Sequence, residues 1–223
     1  MDLNEKIFWD AAAHGEVETV ESSIRKGVNI NIINAEGRSV LMRTAKRGHE
    51  DVVRLLINEG ANVNTHDKNG KTALMGAAKK GELKVCELLV DSGANVNARD
   101  NNGRTALLRA AFMGHNKVVT YLLDKGADVN TADSLGRTPL MEAVTTVRTD
   151  ICDLLIAKGA NVNAKDCKGC TALMRAAYAG DPGMVEYLIK HGADKTITDN
   201  NGVAAIHYAR TECVDALKGW LVY

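Results

Sequence analysis

Aromatic residues make up 4% of this 223-residue chain, and only two prolines interrupt it. So few rings leave little with which to stack nucleic-acid bases. An excess of charge of one sign is missing as well. Lys plus Arg and Asp plus Glu number 28 each, so no global charge directs the chain to nucleic acid or to an anionic membrane. No uninterrupted apolar run approaches the roughly 20 residues of a membrane span. The N-terminus, MDLNEKIFWDAAAHG, sets acids near the start and has no basic region ahead of an apolar stretch, so neither a secretory leader nor membrane insertion is expected. Cysteines are few and odd in number: Cys86, Cys152, Cys167, Cys170 and Cys213. That count suits reduced thiols in a cytoplasmic protein better than a disulfide framework.

What the chain does have is glycine, 20 in all, and most are placed at a fixed step. Gly37, Gly70, Gly103, Gly136, Gly169 and Gly202 lie 33 residues apart. Gly27, Gly60, Gly93, Gly126, Gly159 and Gly192 keep the same step, as do Gly15, Gly48, Gly81, Gly114 and Gly180, with a gap at 147. Glycines tied to a repeat mark turns that need positive φ, which leaves almost none for a phosphate-cradling loop. Between them the apolar residues recur at helical spacing, as in VLMRTAKRG followed by HEDVVRLLINEG. Each unit therefore reads as two short helices. A glycine ends the first, and residues such as His49 or Asp181 start the second, the latter followed by Pro182 in the favoured first turn. Stretches such as GANVNTHDKNGKT carry turn residues densely and suit a hairpin-like loop into the next unit.

A 33-residue period with Gly-x-Thr-(Ala/Pro)-Leu, Ala-Ala, Leu-Leu and Gly-Ala-(Asn/Asp)-Val-Asn resembles the ankyrin repeat family. GRTPLMEA, GKTALMGAA and GADVN carry the resemblance, in one register over the whole chain. It implies an all-α repeat solenoid of stacked helix-turn-helix units forming a single domain. Residues 1–33 are expected as an N-terminal cap, 34–198 as five internal repeats and 199–223 as a shortened C-terminal cap. Two features depart from the family pattern. The His that follows the first-helix Leu is replaced by Met42, Met75, Leu108, Met141 and Met174, and only His207 retains it. A thioether packs but does not make a polar bridge between repeats. In the fifth unit Val147 occupies a turn position where sister units have glycine, so strain or a different local shape is expected there. The apolar end Trp220, Leu221, Val222 and Tyr223 is unusual for a cap, which should turn a polar face outward.

Catalysis finds little support. His49 and His115 share one repeat phase, as scaffold residues would, and no metalloprotease helix motif, serine elbow or carboxylate cluster is present. Cys167 and Cys170 form CKGC on a turn, without a second ligand pair at zinc spacing. Two unpaired turn thiols are the leading reading, with redox exchange or metal binding as alternatives. Cys86 and Cys152 share a phase beside apolar residues and read as core. Neither catalytic residues nor a cofactor or metal is expected.

Surface recognition is what remains, and the resemblance implies that a partner protein binds on a concave face built from loops and first helices. Residues 38–47, 71–80 and 104–113 hold nine basic residues and no acid. A basic residue after the turn glycine is common in the family, which discounts Arg38, Lys71 and Arg104. Arg43, Lys46, Arg47, Lys79, Lys80 and Arg109 survive as candidate groove cations, and Phe112, Met113 and Tyr178 as candidate apolar contacts. The expected function is a non-catalytic adaptor or scaffold whose basic groove takes an acidic protein surface. A dedicated inhibitor or immunity-type protein that blocks a partner enzyme is the alternative. Nucleic acid and small-molecule substrates are not expected partners.

Overall fold

A computed structural model of the chain describes residues 1–209, so Cys213 and the apolar end at Trp220 to Tyr223 lie outside the described residues. The chain divides into two compact units, Met1–Ala127 and Asp128–Tyr223. The first contains four helix pairs: α1 (Leu3–His14) with α2 (Val17–Arg25), α3 (Val40–Arg47) with α4 (Glu50–Asn58), α5 (Ala73–Lys80) with α6 (Leu83–Asp91), and α7 (Ala106–Met113) with α8 (Asn116–Asp124). The second contains α9 (Pro139–Thr145) with α10 (Thr149–Ala157), α11 (Ala172–Ala179) with α12 (Pro182–Lys190), and a 3-10 turn at Ala205–Tyr208. Among the described residues there is no β-strand, only the isolated bridges Ile33 to Ser39 and Thr198 to Ala204.

The repeated residues explain why helices begin where they do. Ser39, Thr72, Thr105, Thr138 and Thr171 each stand before a first helix, and each hydroxyl accepts from the backbone N–H three residues on, at 3.2–3.4 Å. The second helix of a pair is started differently. Asp181 caps α12 by accepting from Met184 N–H at 3.0 Å, whereas His49 makes no cap to α4. Its Nε2–H donates instead to the Ala13 carbonyl of the preceding repeat at 2.9 Å, and His115 Nε2 makes the same contact to the Lys79 carbonyl at 3.1 Å. These two histidines tie neighbouring repeats together.

All 17 glycines of the three series have positive φ, between 71° and 91°. The loops are turns held by a side chain. At 34, 67, 100, 133, 166 and 199 an Asn or Asp Oδ1 accepts from the backbone N–H groups two and four residues on, at 2.8–3.0 Å. This is tighter than a strand-like hairpin and explains the lack of ladder pairing. The outer loops are bonded from repeat to repeat by asparagine. Asn64 Oδ1 accepts from Asn95 N–H at 2.9 Å while its Nδ2 donates to the Gly93 carbonyl at 3.0 Å, and Asn163 does the same to Asp194 and Gly192 in the second unit.

Within each unit the first helices pack on one another, α1 on α3, α3 on α5 and α5 on α7, and α9 on α11. Fully buried alanines such as Ala45, Ala77, Ala110 and Ala176 let these helices approach closely, while Leu41, Leu74, Leu107, Leu140 and Leu173 fill the space beneath. Met42, Met75, Leu108, Met141 and Met174 are buried too, so the substituted histidine position serves as apolar core.

Candidate functional site

The last turns of α3 and α5 both end in two cations, Lys46 with Arg47 and Lys79 with Lys80. Cations at a helix C-terminus interact favourably with the helix dipole, which is reason enough for them to stand there. Within the first unit they share more than that. They rim a hollow of about 500 Å³ whose other cations are Arg38, Arg43, Lys71 and Arg109, with Asp67 as its single carboxylate. Its floor is apolar, formed by Trp9, Met42 and Met75.

The cations differ in how far they are engaged. Arg43 lies with its guanidinium 5.6 Å from the Trp9 ring centroid and 3.8 Å from the Asp10 carboxylate. Arg47 donates to the Ala13 carbonyl at 2.6 Å. Arg109 is largely buried and ion-paired with Asp100, so its charge is matched within the chain. Lys46, Lys79 and Lys80 are exposed and have no carboxylate within ion-pair distance among the described residues. Partial burial and the neighbouring charges of Lys80, Arg38, Lys79 and Lys71 hold the Lys46 ammonium below the ordinary lysine value. The hollow is therefore a place where positive charge is crowded and unmet.

Arg38 and Lys71, discounted in the sequence as ordinary turn residues, line the hollow, as do Trp9 and Gly76. The periodicity placed Arg38 and Lys71 on loops but could not show that those loops turn inward toward α3 and α5. Phe112 and Met113 are exposed, at 40% and 38%, at the end of α7 and are not among the residues lining the hollow. Tyr178 belongs to the second unit, on α11, where it is 60% exposed. It borders a hollow of that unit with Cys170, Arg175 and Tyr208. There Arg175 is paired with Asp166 at 2.6 Å and Tyr208 Oη donates to Asp199 at 2.7 Å, so Arg175 and Asp166 offset one another and Lys168 is the one further cation of the lining.

The thiols follow the same division between core and turn. Cys86 and Cys152 are buried, and burial pushes both up to about 12. Cys167 is an exposed turn thiol, and Cys170 Sγ lies 3.3 Å from Tyr208 Oη. Among the described residues no three His, Cys, Asp or Glu side chains are grouped to hold a metal ion, and no helix is long and apolar enough to cross a membrane.

The family model for ankyrin repeats (3 copies) matches residues 8–100, 97–166 and 150–219. The chain belongs to the ankyrin repeat family. Among solved structures it is similar to the ankyrin repeat domain of Bcl-3, a unique member of the IkappaB protein family. Identity is 30%, with a TM-score of 0.82 over 96% of this chain and 98% of that one. It is also similar to the human ASB11 ankyrin repeat domain, at 25% identity and a TM-score of 0.84, over 94% of this chain and 95% of the other. A comparison with curated proteins gives no match. Ankyrin repeat domains are protein–protein interaction modules, and this all-α repeat solenoid is one of them.

Proposed function

We propose that the protein acts without catalysis as an adaptor or scaffold, binding an acidic surface of a partner protein through the basic hollow of its first unit. The observation that carries this reading is the trio Lys46, Lys79 and Lys80, whose charges no carboxylate in the described residues meets. Facing a partner's acids, such a patch steers encounter more than it adds contact energy. Arg43 and Arg47 flank it, Arg109 serves as a buried strut, and Phe112 and Met113 offer apolar contact beside it. Tyr178 is a separate contact of the second unit. The buried thiols Cys86 and Cys152 suit a reducing, cytoplasmic setting.

A photo-crosslinking residue at position 80 would fix the contacted protein covalently, and its binding would then be measured with purified components across salt concentrations. Lys79→Glu with Lys80→Glu is expected to lower the association rate and flatten its salt dependence, while Phe112→Ala mainly raises the dissociation rate. Unchanged rates in both variants would refute the hollow as the binding site. The same double reversal at two exposed lysines of second helices, Lys84 on α6 and Lys117 on α8, serves as the control that should change little.

A further inference from the structure

One position of the repeat is occupied by Arg43, Gly76, Arg109, Glu142, Arg175 and Tyr208 in successive units. At 109, 175 and 208 its side chain reaches back nine residues to the loop carboxylate of the same repeat, Asp100, Asp166 or Asp199. In the third unit the carboxylate is there, as Asp67, but the side chain is missing because the residue is Gly76. Asp67 makes do with the backbone N–H groups of Asn69 and Lys71 and with Arg38 at 3.6 Å.

Nothing local calls for glycine at 76. It sits inside α5, where glycine is a poor helix former, and its φ is not in the left-handed region. A Cβ there would meet the Lys46 Cβ at 3.4 Å, an ordinary contact. The consequence of the glycine is the space it leaves, a gap in the wall between Arg43 and Arg109 that opens the hollow onto Met42 and Met75.

The charge around the gap decides what enters it. An incoming guanidinium would imitate the missing arginine, but eight lining cations against one carboxylate already bonded to its own loop oppose it. A single carboxylate would meet one or two of the cations. Lys46, Lys71, Lys80 and Arg38 come from two helices and two loops and line the same hollow, and the last three bring their positive charges to bear on Lys46. A tetrahedral dianion therefore offers them more acceptor oxygens and charge than one carboxylate.

We propose that the gap over Gly76 is a socket for a phosphorylated side chain of the partner, a phosphate monoester held between Lys46, Lys71, Lys80 and Arg38. This rests on the basic hollow being the partner site and names the group that seats in it.

The test uses N-acetyl-phosphoserine methylamide, N-acetyl-glutamate methylamide and inorganic phosphate, each titrated at constant ionic strength into the full chain while the Gly76 amide and the Met42 and Met75 methyl resonances are followed. The capped phosphoserine is expected to saturate these shifts, with the capped glutamate about tenfold weaker or more. Gly76→Arg is the decisive variant, because it adds a positive charge while filling the gap, its guanidinium reaching Asp67 as Arg109 reaches Asp100. A socket loses the phosphoserine shifts in Gly76→Arg and keeps them in Gly76→Ala. Tighter or unchanged binding in Gly76→Arg would overturn the proposal in favour of diffuse charge attraction. Equal binding of glutamate and phosphoserine would overturn it too, as would preference for inorganic phosphate over the capped side chain. The hollow as a whole stands or falls separately, on whether Lys79→Glu with Lys80→Glu weakens the crosslinked partner.

Discussion

Replacing Val147 by glycine should stabilise the protein. Val147 carries φ of +54°, the one positive value outside glycine among the described residues, and it occupies the place that Gly48, Gly81, Gly114 and Gly180 hold in other repeats. Although α9 ends one residue earlier than its sister helices, the turn keeps their two closing bonds. Val147 N–H donates to the Val144 carbonyl at 3.1 Å and Arg148 N–H to the Ala143 carbonyl at 2.9 Å, matching Gly114 to Ala111 and His115 to Ala110 in the previous repeat. A left-handed residue with a Cβ costs about 1–2 kcal/mol, and a β-branched one belongs at the upper end. Glycine would give back about 0.4–1 kcal/mol through the greater freedom of its unfolded chain. The side chain is 53% exposed, so its lost packing is worth a few tenths of a kcal/mol. The balance is a gain of about 0.5–1 kcal/mol, or a melting temperature higher by roughly 1–4 °C for a chain of this size. Thermal unfolding of Val147→Gly beside the parent reads the total. Native-state hydrogen exchange reads its location, since residues 133–165 should open most readily in the parent and gain protection in the variant. A variant of equal or lower melting temperature, with 133–165 already as protected as α4 to α8 in the parent, would refute the strain.

Other expectations follow from the same geometry. Asp133 is nearly buried, and although burial opposes its charge, the backbone N–H and guanidinium of Arg137 and the Leu135 N–H together hold its carboxyl below the usual value. Asp133→Asn should keep the turn, as Asn34 does in its own loop, yet lose about 1 kcal/mol at pH 7 with the Arg137 pair. A depressed carboxylate stabilises above its unfolded value, so this difference should shrink as pH falls below about 3.9 in urea titrations; a constant difference down to pH 2 would contradict it. In a Cys213→Ser background, a thiol reagent at pH 8 should label Cys167 first and Cys170 more slowly, leaving Cys86 and Cys152 unmodified until the chain unfolds; four equal rates would refute the burial. Thr105→Ala should cost about 1 kcal/mol of unfolding free energy by removing the α7 cap, and no loss in chemical denaturation would show the cap to be idle.

The glycine step made the helix pairs and turns legible because a positive φ requirement writes itself into sequence, and the same logic exposed Val147 as the position that breaks it. The threonine caps were visible only as a repeated letter until the hydroxyls were placed. Arg109 shows why the site was harder to read. Its phase suggested a groove cation, but whether a cation is free depends on a carboxylate nine residues earlier and on burial, which periodicity does not encode. Gly76 was hidden for the opposite reason, since a missing side chain leaves no chemical signature, and only the sister arginines at 109 and 175 show what is absent.

The asparagines of the outer loops govern how this protein can change in length. Each hands its bonds to the loop 33 residues later, Asn31 to Asn62 and Asn64 to Asn95 and Gly93. Excision of 34–66 brings Asn31 opposite Asn95, an equivalent donor, and passes the capping duty of Ser39 to Thr72. An excision of 32 or 34 residues instead puts the pair that straddles the cut one position out of phase. Whole repeats can therefore be gained or lost by recombination, while small insertions and deletions are confined to loop tips that carry no asparagine bridge.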